Sequence, residues 1–126
     1  MDAEIKQICD LVRVTSYEIH YYLKDGHLEK IYEKALFHRL IKLGLQIETQ
    51  HPLPVYDEDG TLLGDFYADL FVENRVIVEL KACNALCNEH TAQLIGYLRA
   101  SRIEHGLLIN FGAPRLQIKK YILTAR

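Results

Sequence analysis

The chain has 126 residues, of which 49% are hydrophobic and 25% are charged, a composition typical of one soluble domain. Its net charge is −2 and its pI is about 6.3, which excludes an overall positive field, so contact with a polyanion has to depend on a local patch. No apolar run approaches the ~20 residues of a membrane span and no signal-like segment opens the chain, so we expect a cytoplasmic protein.

The three cysteines are Cys9, Cys83 and Cys87. An odd number without a regular spacing does not predict a disulfide framework. Cys83 and Cys87 lie four residues apart, but two thiols without further Cys or His residues at ligand spacing are weak evidence for a zinc or iron–sulfur site. We therefore expect reduced structural thiols.

Two helices are predicted at the start of the chain. Apolar residues recur at helical spacing over residues 3–23, without Pro or Gly, and Asp25-Gly26 ends this segment. A second helical pattern begins near His27 and continues to Leu43, where Gly44 is a natural C-terminal residue. The chain therefore opens with an αα pair.

The hydrophobic period then changes to that of strands. Residues 45–55 contain two prolines, which favours an edge strand or an irregular strand. Residues 57–60 have turn chemistry. Strands are predicted at 64–72 and 75–82, and their connection is so short that they must be antiparallel neighbours.

The last third of the chain alternates between helix and strand. Residues 89–101 have helical spacing, 106–111 form a short apolar strand that we expect in the interior of the sheet, and 116–123 alternate well enough for a final strand. The predicted order is ααβββαβ(β). The sequence thus predicts one α/β domain over residues 1–126, with a mixed sheet flanked by helices.

The predicted hairpin brings two carboxylates together. If its link is centred on Asn74, Asp69 lies directly opposite Glu79, with Cβ atoms about 5 Å apart. The pleat then sorts the side chains into two faces. The predicted apolar face consists of Phe66, Ala68, Leu70, Val72, Val76, Val78 and Leu80. The other face consists of Tyr67, Asp69, Phe71, Ile77, Glu79 and Lys81.

Two facing carboxylates require a compensating cation, because like charges directly opposite each other destabilise a sheet. Lys81 is one candidate, and a divalent metal is the other. Mg²⁺ binds one or two carboxylates, keeps several waters and takes phosphate in its other positions. The alternative is an exposed Asp–Lys–Glu cluster on the wet side of an antiparallel sheet.

Two further pairs of side chains are candidates for the same place. Gln93 and Tyr97 lie four residues apart on the third helix, so they point from one face. Glu29 and Tyr32 lie one turn apart near the start of the second helix. Tyr32 is equally well explained as a core aromatic residue, and Glu29 as part of a solvated first turn favoured by the helix dipole.

These residues form a pattern that resembles a known superfamily. Asp69, then Glu79-Leu80-Lys81, then the Gln93-x-x-x-Tyr97 helix resemble the PD-(D/E)XK nucleases, in the exonuclease-like branch with a QxxxY signature. Ala68 stands where the motif has Pro. Gly26-x-x-Glu29-x-x-Tyr32 resembles the signature of the bacterial GxxExxY protein family, and the similarity extends over about residues 4–123.

The resemblance implies a restriction-endonuclease-like fold and a phosphodiesterase site that depends on Mg²⁺ or Mn²⁺. By this resemblance, Asp69 and Glu79 are expected to be metal ligands, and Glu29 a further acidic residue near the metal. Lys81 corresponds to the catalytic lysine. Gln93 and Tyr97 correspond to residues that position substrate or water.

The leading hypothesis is therefore a metal-dependent nuclease acting on DNA or RNA. The alternative is a catalytically silent module with the same fold that binds nucleic acid or a protein partner, with a homodimer as one form of it; the small size and near-neutral charge favour it. Basic residues that are candidates for phosphate contacts are Lys24, Lys30, Arg39, Lys42, Arg99, Arg102, Arg115, Lys119 and Lys120.

Overall fold

The computed structural model describes residues 2–124. They form a five-stranded sheet covered by two helices on one face and by one helix on the other. The elements are α1 (Ala3–Leu23), α2 (Glu29–Lys42), β1 (Ile47–Tyr56), β2 (Leu62–Val72), β3 (Val76–Lys81), α3 (Asn88–Ser101), β4 (His105–Asn110) and β5 (Gln117–Ile122). Every predicted element is present, and its ends agree with the prediction to within two residues.

The sheet has the strand order β1-β2-β3-β4-β5. Neighbouring strands are antiparallel, except that β3 and β4 are parallel. This parallel pair is joined by α3, as expected, since a parallel connection needs a crossover. The mixed α/β sheet predicted from the sequence is confirmed, and the last segment is a strand at the edge of the sheet.

Local sequence explains where the two N-terminal helices begin and end. The Asp2 carboxylate caps α1 by accepting hydrogen bonds from the backbone N–H groups of the first turn. The second helix begins at Glu29, two residues later than predicted, because Leu28 is still extended. Gly44, at φ +88°, follows the end of α2 as predicted. No helix within residues 2–124 is long and apolar enough to cross a membrane.

The sheet separates two apolar clusters. The cluster under α1 and α2 contains Ile5, Val12, Tyr32, Leu36, Leu40, Leu70, Val72, Val78, Leu80, Ile109 and Phe111. The cluster under α3 contains Leu53, Ala68, Phe71, Ile77, Leu94, Leu98 and Leu108. Strand β4 is buried on both faces after its first residue, which confirms its predicted interior position.

The predicted faces of β2 are wrong at two positions. Ala68 packs in the α3 cluster, on the opposite side from Leu70, and the ring of Phe66 contacts a tyrosine of α3. The reason is that the regular alternation stops at Asp69. Leu70 is the last residue of β2 that pairs with β3, so Asp69 lies just outside that ladder. In the β1–β2 ladder, Gln50, which has φ +48°, is left unpaired.

Candidate active site

The hairpin of β2 and β3 has the predicted register. Leu70 pairs with Val78, and continuing this register by one step sets Asp69 opposite Glu79. Here the carboxylates replace the backbone ladder. The Asp69 N–H donates to Glu79 Oε1 at 3.0 Å, and the Leu80 N–H donates to Asp69 Oδ2 at 2.8 Å. Both side chains are therefore held side by side where the two strands separate.

The carboxyl group of Glu79 lies in a place that disfavours its charge. Only 4% of the residue is exposed. Loss of hydration, and then the charge of Asp69, raise its pKa from 4.5 to about 8, against the opposing effects of the Asp69 N–H and of Lys81. At neutral pH the side chain is mostly protonated, and a cation bound beside it would favour the carboxylate.

Helix α3 supplies another wall of the site. Lys81 Nζ donates to Gln93 Oε1 at 2.9 Å, which links the end of β3 to this helix. One turn later, the pKa of the Tyr97 hydroxyl is raised by loss of hydration and then by the charges of Glu79 and Asp69. Both predicted α3 side chains therefore lie at the carboxylate pair.

Glu29 approaches the same place from the start of α2. The residue is exposed, yet its carboxyl group loses part of its hydration. This loss of hydration is the largest cause of the raised pKa of Glu29. The charge of Asp69 also raises the pKa, and the charge of Lys81 lowers it. The structure therefore brings together all six residues that the sequence singled out: Glu29, Asp69, Glu79, Lys81, Gln93 and Tyr97.

Tyr32 belongs to the core. It is fully buried, and its ring stacks on Phe111 with 4.7 Å between centroids. Its hydroxyl donates to the Lys24 carbonyl and accepts from the His27 N–H. These bonds close the loop between α1 and α2, where Gly26 has φ +105°. Gly26 and Tyr32 thus fix the chain around the start of α2, and Tyr32 has a structural role.

The donor set fits a hard divalent cation. Within residues 2–124, no group of three His, Cys, Asp or Glu side chains is arranged so that it could hold a metal by itself, so Glu29, Asp69 and Glu79 do not form a complete ligand cage. Mg²⁺ needs only one or two carboxylates when water and phosphate oxygens complete its octahedron. The facing pair of Asp69 and Glu79 meets that requirement.

Comparison with known proteins agrees with this geometry. A model of the PD-(D/E)XK nuclease superfamily matches residues 6–121. The chain belongs to this superfamily. Its structure is similar to the crystal structure of SSO0001, with a TM-score of 0.54 and 17% sequence identity over 94% of this chain and 68% of that chain. This likeness concerns the fold. No curated protein sequence matches significantly.

Two side chains beside the candidate site were not predicted to lie there. Glu33 is only 6% exposed, and its carboxylate accepts hydrogen bonds from Lys30 Nζ and from Gln50 Nε2. The same Gln50 nitrogen lies 3.2 Å from Asp69 Oδ1. Glu33 follows Glu29 by four residues, a spacing that indicates a shared helix face. No sequence signal indicates Gln50.

A buried amide fixes the backbone beyond Lys81. The Oδ1 atom of Asn110 accepts hydrogen bonds from the N–H groups of Cys83 and Gly112, and its Nδ2 donates to the Cys83 carbonyl and to Gln117. The next residue in the chain after Asn110 donates its N–H to the Lys81 carbonyl at 2.9 Å. The end of β3 is therefore held by both backbone and side-chain bonds, which positions Lys81.

The structure also shows the surroundings of the three cysteines and of two lysines that were predicted to contact phosphate. Cys9, Cys83 and Cys87 are free thiols, and Cys9 is buried. Among the predicted phosphate-binding cations, Lys30 is paired with Glu33, and Lys120 contacts a histidine nitrogen. Each of these two lysines therefore already has a side-chain partner in the structure.

Proposed function

We propose that the chain is a nuclease that hydrolyses phosphodiester bonds of DNA or RNA with the help of Mg²⁺ or Mn²⁺. The observation that carries this proposal is the buried carboxyl group of Glu79, which faces Asp69 beside the ammonium group of Lys81. A carboxyl group whose pKa is strongly raised by burial and by a specific charged partner indicates a functional site.

Asp69 and Glu79 are the proposed metal ligands, and Glu29 adds negative charge near them. When bound, the cation neutralises charge on the scissile phosphate and promotes ionisation of water. The N–H groups that hold one oxygen of each carboxylate fix the direction in which the remaining oxygens point. Such fixed orientation is what outer hydrogen bonds contribute to metal sites.

Lys81 is the proposed catalytic lysine. Its ammonium group orients the attacking water and stabilises negative charge on the phosphoryl oxygens as the new P–O bond forms and the bond to the leaving oxygen breaks. Gln93 holds this ammonium group through its Oε1 atom. Tyr97 lies close enough to both carboxylates to feel their charges, and we assign it to positioning substrate or water.

Metal binding is tested by thermal unfolding. With 10 mM Mg²⁺ or Mn²⁺ and a Kd of about 1 mM, mass action stabilises the folded protein by about 1.4 kcal/mol, or about 4–7 °C in Tm. We expect this rise in the wild type and in Glu104→Gln, which changes an exposed carboxylate. Glu79→Gln should abolish it. Equal rises in Glu79→Gln and wild type would refute the assigned ligands.

Cleavage is tested with single-stranded, duplex and branched DNA and RNA in Mn²⁺. Lys81→Ala should lower the rate at least about 100-fold, while Lys34→Ala, a change of an exposed lysine on α2, should not. If the wild type cleaves none of these substrates at high enzyme concentration, the silent binding module becomes the better assignment.

We further propose that the chain acts as one nuclease-like domain over residues 1–126, of which residues 1, 125 and 126 lie outside the described part. Membership of the bacterial GxxExxY family, a cytoplasmic location and a homodimeric state stay predictions. Size-exclusion chromatography with light scattering tests the last of these.

A further inference from the structure

An open cleft with tyrosine walls lies beside α1. It has a volume of about 830 Å³ and is formed by the C-terminal half of α1 and the loop from β4 to β5. We call it the tyrosine cleft and define it by Tyr17, Tyr21, Lys24 and Arg115. Tyr17 and Tyr21 lie one helical turn apart and are 52% and 79% exposed. Their rings therefore remain accessible to a ligand.

The charge of the tyrosine cleft differs from that of the whole chain. Lys24 Nζ lies 4.4 Å from the centroid of the Tyr21 ring, so that a cation and a stacking surface are adjacent. Arg115 adds a second positive charge, and Glu18 is the acidic residue of the lining. The local net charge is thus positive, although the chain carries −2.

Two connections place this cleft at the same edge of the sheet as the candidate active site. In the loop that forms its wall, the Ala113 carbonyl lies 3.0 Å from His20 Nε2, and Phe111, two residues earlier, donates its N–H to the Lys81 carbonyl. Lys24 precedes Glu29 by five residues, which span at most about 17 Å. One ligand strand is therefore long enough to touch both places.

We propose that the tyrosine cleft binds unpaired bases of a single-stranded nucleic acid and guides that strand to Asp69 and Glu79. The guiding step rests on the proposed function, whereas binding in the cleft does not. Exposed aromatic rings stack on bases, and neighbouring cations contact the backbone phosphates. A duplex hides the faces of its bases, so Tyr17 and Tyr21 select unpaired segments.

The test measures the affinity of the protein for two single strands, a 20-nucleotide oligothymidine DNA and a 20-nucleotide oligouridine RNA. Binding is measured by fluorescence anisotropy in EDTA at low salt. A duplex of equal length is the third ligand. We expect single strands to bind more tightly than the duplex, and Tyr21→Ala to weaken single-strand binding about 5- to 100-fold. The two oligonucleotides distinguish DNA from RNA as the source of the bases.

The matched control is Tyr22→Ala, since Tyr22 is the next residue on α1 and is 75% exposed but does not line the cleft. It should leave affinity unchanged, and Tyr21→Phe, which keeps the ring, should retain most of it. Arg115→Ala should lower the slope of log affinity against log salt concentration by about one, which corresponds to one counterion fewer released on binding. Equal effects of Tyr21→Ala and Tyr22→Ala, or equal affinity for duplex and single strands, would overturn the proposal.

This experiment separates the two proposals because binding is measured without metal and without cleavage. Selective single-strand binding that Tyr21→Ala weakens and Tyr22→Ala does not, in a protein that cleaves nothing in Mn²⁺, supports the tyrosine cleft and rejects the nuclease. Cleavage of single strands at the same kcat/KM by wild type and Tyr21→Ala supports the nuclease and rejects the guiding of the strand by the tyrosine cleft.

Discussion

Replacing Glu79 by glutamine removes a buried titratable group, while the size of the side chain stays the same. The amide oxygen introduced by Glu79→Gln can still accept a hydrogen bond from the Asp69 N–H, as the carboxyl group does. In the wild type without metal, the pKa of Glu79 is raised from 4.5 to about 8. The folded protein therefore binds a proton more tightly than the unfolded chain, and its stability falls as pH rises from about 4.5 through 8.

The size of this loss of stability follows from the pKa shift of Glu79. A rise in pKa from 4.5 to about 8 corresponds to at most about 5 kcal/mol. Relaxation of the site and entry of water reduce the effective penalty of a buried charge, so we expect about 2–3 kcal/mol. Glu79→Gln lacks this titration. It should have a similar free energy of unfolding to the wild type at pH 5 and exceed it by about 2–3 kcal/mol at pH 9.

The assay is urea denaturation in EDTA at several pH values between 5 and 9. The measured quantity is the difference in the free energy of unfolding between Glu79→Gln and the wild type. Titrating groups that do not interact with Glu79 cancel in this difference. Asp69→Asn is the second comparison, because removing the charge of Asp69 lowers the pKa of Glu79 in the folded protein. The loss of stability should therefore be smaller and end at a lower pH. A difference between Glu79→Gln and wild type that stays constant from pH 5 to pH 9 would refute the reasoning.

Three further substitutions, together with one control, test the supports of the site. In Gly112→Ala, the new Cβ would lie 2.3 Å from a backbone nitrogen of the loop after β3, and urea denaturation should show a loss of about 3 kcal/mol. In the control Gly96→Ala, the new Cβ would have no atom of residues 2–124 within 4 Å apart from its own helix backbone and chain neighbours, so this change should be neutral or stabilising. Tyr32→Phe leaves a carbonyl and an N–H of the α1–α2 loop unpaired and should cost about 1–2 kcal/mol, measured in the same way. Gln50→Ala should weaken Mg²⁺ binding about 10-fold in titration calorimetry, because it frees Asp69 to reorient; unchanged affinity would argue against this support.

The fold was predictable from the sequence because local signals and long-range pairing agree. The α1–α2 break depends on Asp25-Gly26, and the hairpin on a link of three residues, 73–75. In that link Glu73 and Asn74 both have φ near +55°, as a tight turn requires. A short link leaves only one or two possible registers, so the position of Asp69 relative to Glu79 followed from counting residues.

The faces of β2 could not be predicted in the same way. Period-two alternation assumes an uninterrupted ladder, and this ladder is interrupted at Asp69 because side-chain carboxylates take the place of backbone acceptors. A pattern of apolar residues does not contain that information. Phe66 and Ala68 consequently lie on the α3 side, where Phe66 packs against the tyrosine ring that borders the site.

The interruption of the ladder also explains how the two acids are held in a usable orientation. In a continuous ladder, Asp69 and Glu79 would be free to rotate away from each other in response to their mutual repulsion. Here each carboxylate accepts a hydrogen bond from a backbone N–H of the opposite strand, and Gln50 also donates to Asp69. Rotation would leave those donors unpaired, which costs about 1–3 kcal/mol for each one. The pair therefore stays in place without a cation, and the raised pKa of Glu79 is the measurable consequence of that constraint.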